Sequence, residues 1–510
     1  MNDPRRRQEP HPAGVWRAAR VALFAACFAW IPYAVPGLER LRVIGPGDAW
    51  PLADLLHATP RQGGAGIAGA LREHRIVDRD DDDALLRLAP LPPPLEIVPR
   101  REAPPPLATP GARTPPPRID PGDYHGLTRE IEDPHDAMRW FYRRLGRVAR
   151  GERVLARMSV YGTSINGGDL TTAQLRRLLS ERFGDGGKGW VPIAPGWRYQ
   201  RHQDVEWSSE GWRTYVVNRG DGPLGRYGYG GVVATADHPR AVSRIATRGG
   251  DGPGTRASVV RLFYQAWPEG STLGVAVDDG PPLERSTRAA AVEDRVETIR
   301  VADGAHRFTI GPAGEAPHRL RLYGVTMERD GPGVVVDGLA LIGAFTRVLR
   351  LFDEEHLRAQ VRQRDPHLLV FWMGANDAVS SSVAYVPERY EAHYRGILRR
   401  FREAAPEASC LVMSVLDKGE RVAGRIVTRA RVPRLVEAQR AIAHAEGCAF
   451  FDSFMALGGE GTMARWYTSR PRLVTDDLGH LTASGARVVG SLVHRALLKG
   501  YDDWIAEGAP

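Results

Sequence analysis

At 510 residues the chain exceeds what one simple domain usually holds, while 43% hydrophobic and 25% charged residues are the proportions of an ordinary globular protein. The formal net charge of +8 suits an anionic partner. No arginine-rich helix, zinc-ligand spacing or aromatic RNA-binding signature accompanies it, which argues against nucleic acid and leaves an anionic polymer as the better match.

The chain opens with Arg5, Arg6, Arg7, Arg17 and Arg20, followed by the apolar run VALFAACFAWIPYAV at 21–35. A basic segment before a short apolar run reads as an export signal or a membrane anchor over residues 1–40. The run is short for a span, and Pro32 interrupts it. Residues 41–124 read as a largely disordered linker. They hold the acidic run DRDDDDA at 78–84 and a proline-rich stretch at 89–124, a composition that gives extended, semi-rigid chain.

Regular structure is expected to begin near residue 131. Asp133-Pro134 has the form of a helix N-cap and first turn, and DAMRWFYRRLGRVAR carries apolar residues at helical spacing. VLARMSVY, residues 154–161, reads as a buried strand. After Ser164 a helix is expected near Thr171, with Gln174 completing a capping box and Gly184 stopping it. Residues 197–325 change texture. ASVVRLFYQ, STLGVAVDD, VETIRVA and HRLRLYGVT alternate with Gly, Pro and Asp turns, which predicts an inserted antiparallel β-sandwich. Beyond 340 the strands LLVFWMG, CLVMSVL and AFFDSF alternate with helices near 345–363, 388–404, 432–446 and 483–499. That alternation predicts a three-layer α/β/α domain with a parallel sheet, assembled from residues 125–196 and 326–510.

The cysteines are Cys27, Cys410 and Cys448, too few for a metal cluster or a disulfide framework. Cys410 and Cys448 each open a predicted strand. They read as buried small hydrophobes, or as a disulfide if the protein is exported and the two strands adjoin.

Three short clusters fall at the predicted carboxyl ends of strands or before the last helix: Gly162-Thr163-Ser164, Gly374-Ala375-Asn376-Asp377 and Asp477-Leu478-Gly479-His480. Reactive groups collect at such ends in parallel sheets. Singly each is an ordinary turn or cap. Jointly they supply a serine nucleophile, a histidine base with a carboxylate three residues away, and an amide donor for a developing oxyanion.

In this order, GTS…GAND…DLGH resembles the SGNH, or GDSL-like, hydrolase superfamily. The resemblance implies a Ser-His-Asp esterase that needs no metal and no organic cofactor. It makes Ser164 the nucleophile, His480 the base and Asp477 its orienting acid. The oxyanion hole would comprise the N–H groups of Ser164 and Gly343 and the side chain of Asn376, with Gly343 drawn from the second block in VVVDGLALIGA, residues 334–344. RFGDGGKGWVPIAPGW, the β-rich insert and YGVTMERDGPGVVVDGLALIGA together resemble peptidoglycan O-acetylesterases of Gram-negative envelopes, which carry a carbohydrate-binding-like module at this place.

What this implies is an exported protein, periplasmic or anchored to the inner membrane. It would remove O-acetyl groups from an O-acylated cell-wall glycan. Two alternatives follow from the same residues: an O-acetyltransferase using the same triad, and a degenerate enzyme kept for glycan binding. The second is motivated by departures from the family pattern, namely Thr163 where an Asp is usual, Ile165 where a His is frequent, and Ala340 and Ile342 in the second block. Trp207, Trp212, Tyr227, Tyr229 and Trp267 are candidates for a sugar-stacking surface, with sandwich core packing the competing reading. GDGGKGW, residues 184–190, lacks the Ser/Thr after Lys188 and follows a helix, so it is not a phosphate-binding loop.

Overall fold

The computed structural model describes residues 129–380 and 385–508. The segments read from sequence as signal or anchor (1–40) and as linker (41–124) lie outside the described residues. Among those described, no helix is long and apolar enough to cross a membrane.

Five parallel strands form the central sheet: β1 (Leu155–Gly162), β2 (Gly333–Ala340), β3 (Leu368–Trp372), β4 (Ser409–Met413) and β5 (Ala449–Phe451), in the order β2-β1-β3-β4-β5. Because successive side chains of a strand point to opposite faces, each strand feeds two cores. Leu368, Val370 and Trp372 pack on one side, with Phe141 and Leu145 of α1 (Arg139–Ala149), Leu175 and Leu179 of α2 (Leu170–Phe183) and Val489 and Val493 of α6 (Ala483–Ala506). Leu369 and Phe371 pack on the other. They meet Leu357 and Val361 of α3 (Glu354–Arg364), Ile397 and Phe401 of α4 (Pro387–Ala404) and Val432 and Leu435 of α5 (Arg431–Ala445). Burying a side chain such as Phe371 completely contributes about 1.5–3 kcal/mol. The three-layer α/β/α reading therefore holds.

The strand order reverses its direction of growth at β1, where β2 is laid down on one side and β3 on the other. The crevice beyond the carboxyl ends at such a point is where ligands of open α/β sheets bind. At the opposite edge, Glu132 exchanges two backbone hydrogen bonds of 2.8 Å with Phe450 and covers β5, as an unpaired edge requires.

Two antiparallel sheets make up the insert. In the larger, Ala257–Ala266 and Leu320–Glu328 run side by side; the smaller is centred on Arg307–Pro312 between Val242–Thr247 and Thr272–Val277. Leu262, Leu322 and Val325 of the first meet Ile245, Leu273 and Phe308 of the second in one apolar core. The β-rich region is wider than the expected 197–325. Gly187–Pro192 already pairs with Leu320–Glu328 in the larger sheet, so the chain leaves and re-enters the α/β layer side by side. A buried ion cluster fastens the junction. Glu328 accepts from Arg157 of β1 at 2.9 Å and from Arg364 of α3 at 2.6 Å, and Arg364 also grips Asp337 of β2 at 2.7 Å. Burial would raise the pKa of Glu328, but Arg364 and Arg157 outweigh it and hold the carboxylate well below its usual range.

Several local expectations change. Asp133 caps as expected, accepting from Ala137 N and Met138 N, but it caps the turn before α1, which starts only at Arg139. The second helix is led by Asp169, not Thr171, whose side chain is buried. Cys410 and Cys448 are joined in a disulfide, both sulfurs inside the core on the α3–α5 side.

Candidate active site

Each candidate side chain is placed by the end of a strand or by a tight turn. After β1 the backbone stays extended through Thr163 and then enters a single 3-10 turn, Ser164–Asn166. This turn closes through Asn166 N to Thr163 O (3.0 Å) and Gly167 N to Ser164 O (3.0 Å). A Cβ at Gly162 would lie 2.3 Å from Asn166 Nδ2, so a larger residue there would push the Asn166 side chain aside. The turn lifts Ser164 out of the sheet and leaves it half-buried.

A buried charge network underpins it. Asp169, five positions on, receives Arg176 Nη2 at 3.0 Å, Lys188 Nζ at 2.5 Å and the Gln203 amide at 3.0 Å. Gln203 Nε2 and the Arg201 amide donate to the carbonyls of Gly168 and Gly167. The segment 201–203 thus straps the loop that follows Ser164. His202 lies beside this network; burial, then Lys188, pushes its pKa down to about 3. It is therefore neutral near pH 7 and a poor proton acceptor.

His480 reaches Ser164 from the far end of the chain, with its Nε2 2.7 Å from Ser164 Oγ. Its Nδ1 lies 2.5 Å from Asp477 Oδ2. The other carboxylate oxygen of Asp477 accepts from Thr475 Oγ1 at 2.7 Å, Gly479 N at 3.0 Å and His480 N at 3.0 Å. Partial burial works against the charge, but the bonds from Thr475, His480 and Gly479 prevail and hold Asp477 well below the usual carboxylate range. The carboxylate is thus charged at any working pH and fixes the imidazole with Nε2 facing the serine. Thr475 carries no signal in the Asp-x-x-His spacing, although a hydroxyl two residues before an aspartate is a frequent turn device.

Gly343 and Asn376 follow β2 and β3, the strands flanking β1. Gly343 has φ of +78°, a conformation open chiefly to glycine. Asn376 Nδ2 donates to Ala344 O at 2.7 Å, and Asp377 accepts from Thr346 N at 3.0 Å and Thr346 Oγ1 at 2.9 Å. These bonds tie the second and third blocks into one unit beside the serine turn. An asparagine amide has two N–H groups, so one remains for a ligand.

The aromatic candidates do not form a stacking surface. Tyr227, Tyr229 and Trp267 are 1%, 0% and 6% exposed, so their rings present no face to solvent. Tyr229 meets Tyr161 and Trp190 edge-on where the insert packs against the α/β layer. Trp267 is covered by the Arg321 guanidinium, 4.5 Å from the ring centre. Trp207 and Trp212 are half-buried against the sandwich core. Core packing accounts for the set. Among the described residues no group of His, Cys, Asp or Glu has the arrangement of a metal site.

Residues 281–488 match the GDSL-like lipase/acylhydrolase family. The matched stretch is less than half of the chain. The match takes in Gly343, Asn376, Asp477 and His480, whereas Ser164 lies before it, cut off from the other blocks by the insert. No curated protein matches the chain by sequence. Among solved structures, the fold is similar to that of a peptidoglycan O-acetylesterase, with TM-score 0.61, 20% identity, and 74% of this chain and 100% of that chain covered. Further matches are a Bacillus subtilis protein (TM-score 0.29, 12% identity, 58% of this chain and 90% of that one) and a family two carbohydrate esterase from Cellvibrio japonicus (TM-score 0.23, 12% identity, 59% and 99%). The GDSL-like match supports ester hydrolysis as the chemistry of the site.

Proposed function

We propose that the protein is an exported serine esterase that removes acyl groups, O-acetyl above all, from a cell-envelope polysaccharide such as peptidoglycan. The observation that carries this reading is the Ser164–His480–Asp477 chain of contacts, 2.7 Å and 2.5 Å long, at the point where the sheet order reverses.

Ser164 Oγ attacks the ester carbonyl carbon as its proton passes to His480 Nε2. The oxyanion is received by the N–H groups of Ser164 and Gly343 and by the free N–H of Asn376. The intermediate collapses with cleavage of the carbon–oxygen bond to the sugar, and the departing oxygen takes the proton from Nε2. Water, deprotonated by the same nitrogen, then attacks the acyl-enzyme and releases the carboxylic acid, restoring the serine. Asp477 keeps its charge throughout and compensates the imidazolium formed in each half-reaction.

Two features support the setting. A buried Cys410–Cys448 bond suits an oxidising compartment. The net charge of +8 suits an anionic wall polymer. The substrate class draws on the fold similarity to a peptidoglycan O-acetylesterase.

The test compares the full chain with its Ser164→Ala variant, following acetate released from p-nitrophenyl acetate and from O-acetylated peptidoglycan. Release from both by wild type, lost in the variant, is the expected result. Release from the small ester alone moves the substrate elsewhere, and undiminished release by Ser164→Ala overturns the mechanism.

A further inference from the structure

The turn between Asp477 and His480 is exposed at both ends but held from beneath. Leu478 is buried, with φ of +57°, a left-handed conformation that leucine seldom takes. Its carbonyl accepts from Gly419 N at 2.9 Å. The next carbonyl, that of Gly479, accepts from Lys418 Nζ. Both donors belong to the segment entering the hairpin Gly419–Val422 and Arg425–Thr428. Lys418 is only 6% exposed, and among the described residues its ammonium forms no ion pair. A buried cation is costly without a partner charge.

We propose that Lys418 is a positioning residue of this site: its ammonium clamps the Asp477–His480 turn through the Gly479 carbonyl and, by facing Asp477, keeps His480 aimed at Ser164. This rests on the esterase reading above.

The groups that face Lys418 are Asp477 and Asp417, which favour its charge, and Arg429, which opposes it. Arg429 is itself paired with Glu420 at 3.2 Å, and Asp417 accepts from Met463 N at 2.9 Å. Burial dominates and pushes Lys418 down to about 8. Only the protonated form can clamp with full charge, so the clamp weakens as pH rises through that value. An arginine keeps its charge far beyond it.

The experiment is the pH profile of p-nitrophenyl acetate hydrolysis by full-length wild type, Lys418→Arg and Lys418→Met, with thermal melts to establish folding. Wild-type kcat/KM should decline near pH 8, and Lys418→Arg should not. Lys418→Met should lose about tenfold in kcat with little change in KM. Identical profiles for all three proteins would overturn the assignment. Should Lys418→Met fail to fold, the comparison of wild type with Lys418→Arg decides the matter alone.

Loss of the esterase reading is separately visible as full activity in Ser164→Ala. In that case hydrogen exchange at the 475–480 amides decides: faster exchange in Lys418→Met supports the clamp, and unchanged exchange sinks it.

Discussion

Two sets of paired charges hold the loops around Ser164, and they are built in opposite ways. Asp477 and His480 stand half in solvent, with side chains 54% and 46% exposed. Asp169, Arg176 and Lys188 are sealed, at 1%, 0% and 0%. In the proposed mechanism the exposed pair contains the group that gains and loses a proton in each turnover, and exposure keeps that charge change cheap. The sealed set contains nothing that needs to change. In a low-dielectric interior its charges are strongly coupled, which makes it a rigid footing for the serine turn. On the proposed mechanism one set serves chemistry and the other position.

Breaking each set should therefore produce different symptoms. His480→Ala is expected to lower kcat/KM by about 10⁴-fold or more, while the denaturant midpoint stays put, since exposed substitutions usually stay within about 0.5 kcal/mol. A large loss of stability alongside would show that the exposed pair also supports the fold.

Asp169→Ala should do the reverse, costing about 3–5 kcal/mol by stranding the buried Lys188 and leaving Arg176 with Asp204 as its remaining carboxylate; equilibrium unfolding reads this directly. The same set gives a pH dependence. Burial disfavours the Asp169 charge, but Lys188 and Arg176 outweigh it, so the folded pKa lies below the unfolded value of about 3.9. Its stabilisation is thus complete above that value and is lost as pH falls toward the folded one. Wild type should lose stability in that acid window, and Asp169→Ala should lose less.

The smallest effect is expected between the two sets, at Thr163. Its side chain is fully buried and its hydroxyl meets no partner among the described residues. Thr163→Val removes a polar group whose unpaired burial costs about 1–3 kcal/mol, so stability should hold or rise. A fall in the melting temperature would mean that the hydroxyl is engaged after all.

Much of this was legible in the sequence because it is local. The apolar runs of β1, β3, β4 and β5 and the periodic helices between them read directly as parallel α/β structure. The Asp477–His480 spacing reads as a turn that brings acid to base. What escaped is non-local. VVVDGLA does not announce a central-sheet strand, because Asp337 interrupts its apolar run; Arg364, 27 residues on, with Ser159 and the Trp190 amide, makes that burial tolerable. Tyr227, Tyr229 and Trp267 have the composition of a binding surface, and burial is a property of the fold that composition does not carry. Lys418 lies 61 residues from the carbonyl it holds, so no motif reports it.

The insert has a consequence for the order of events during synthesis. It lengthens the stretch between Ser164 and the histidine that would activate it, which stand 316 positions apart. At about 5–20 residues per second, roughly 15–60 s separate the emergence of the two from the ribosome. Until α6 and the turn before it are made, the serine is an unactivated alcohol on a growing chain. On the proposed mechanism, a product truncated before Asp477 and His480 would carry the nucleophile and be chemically silent.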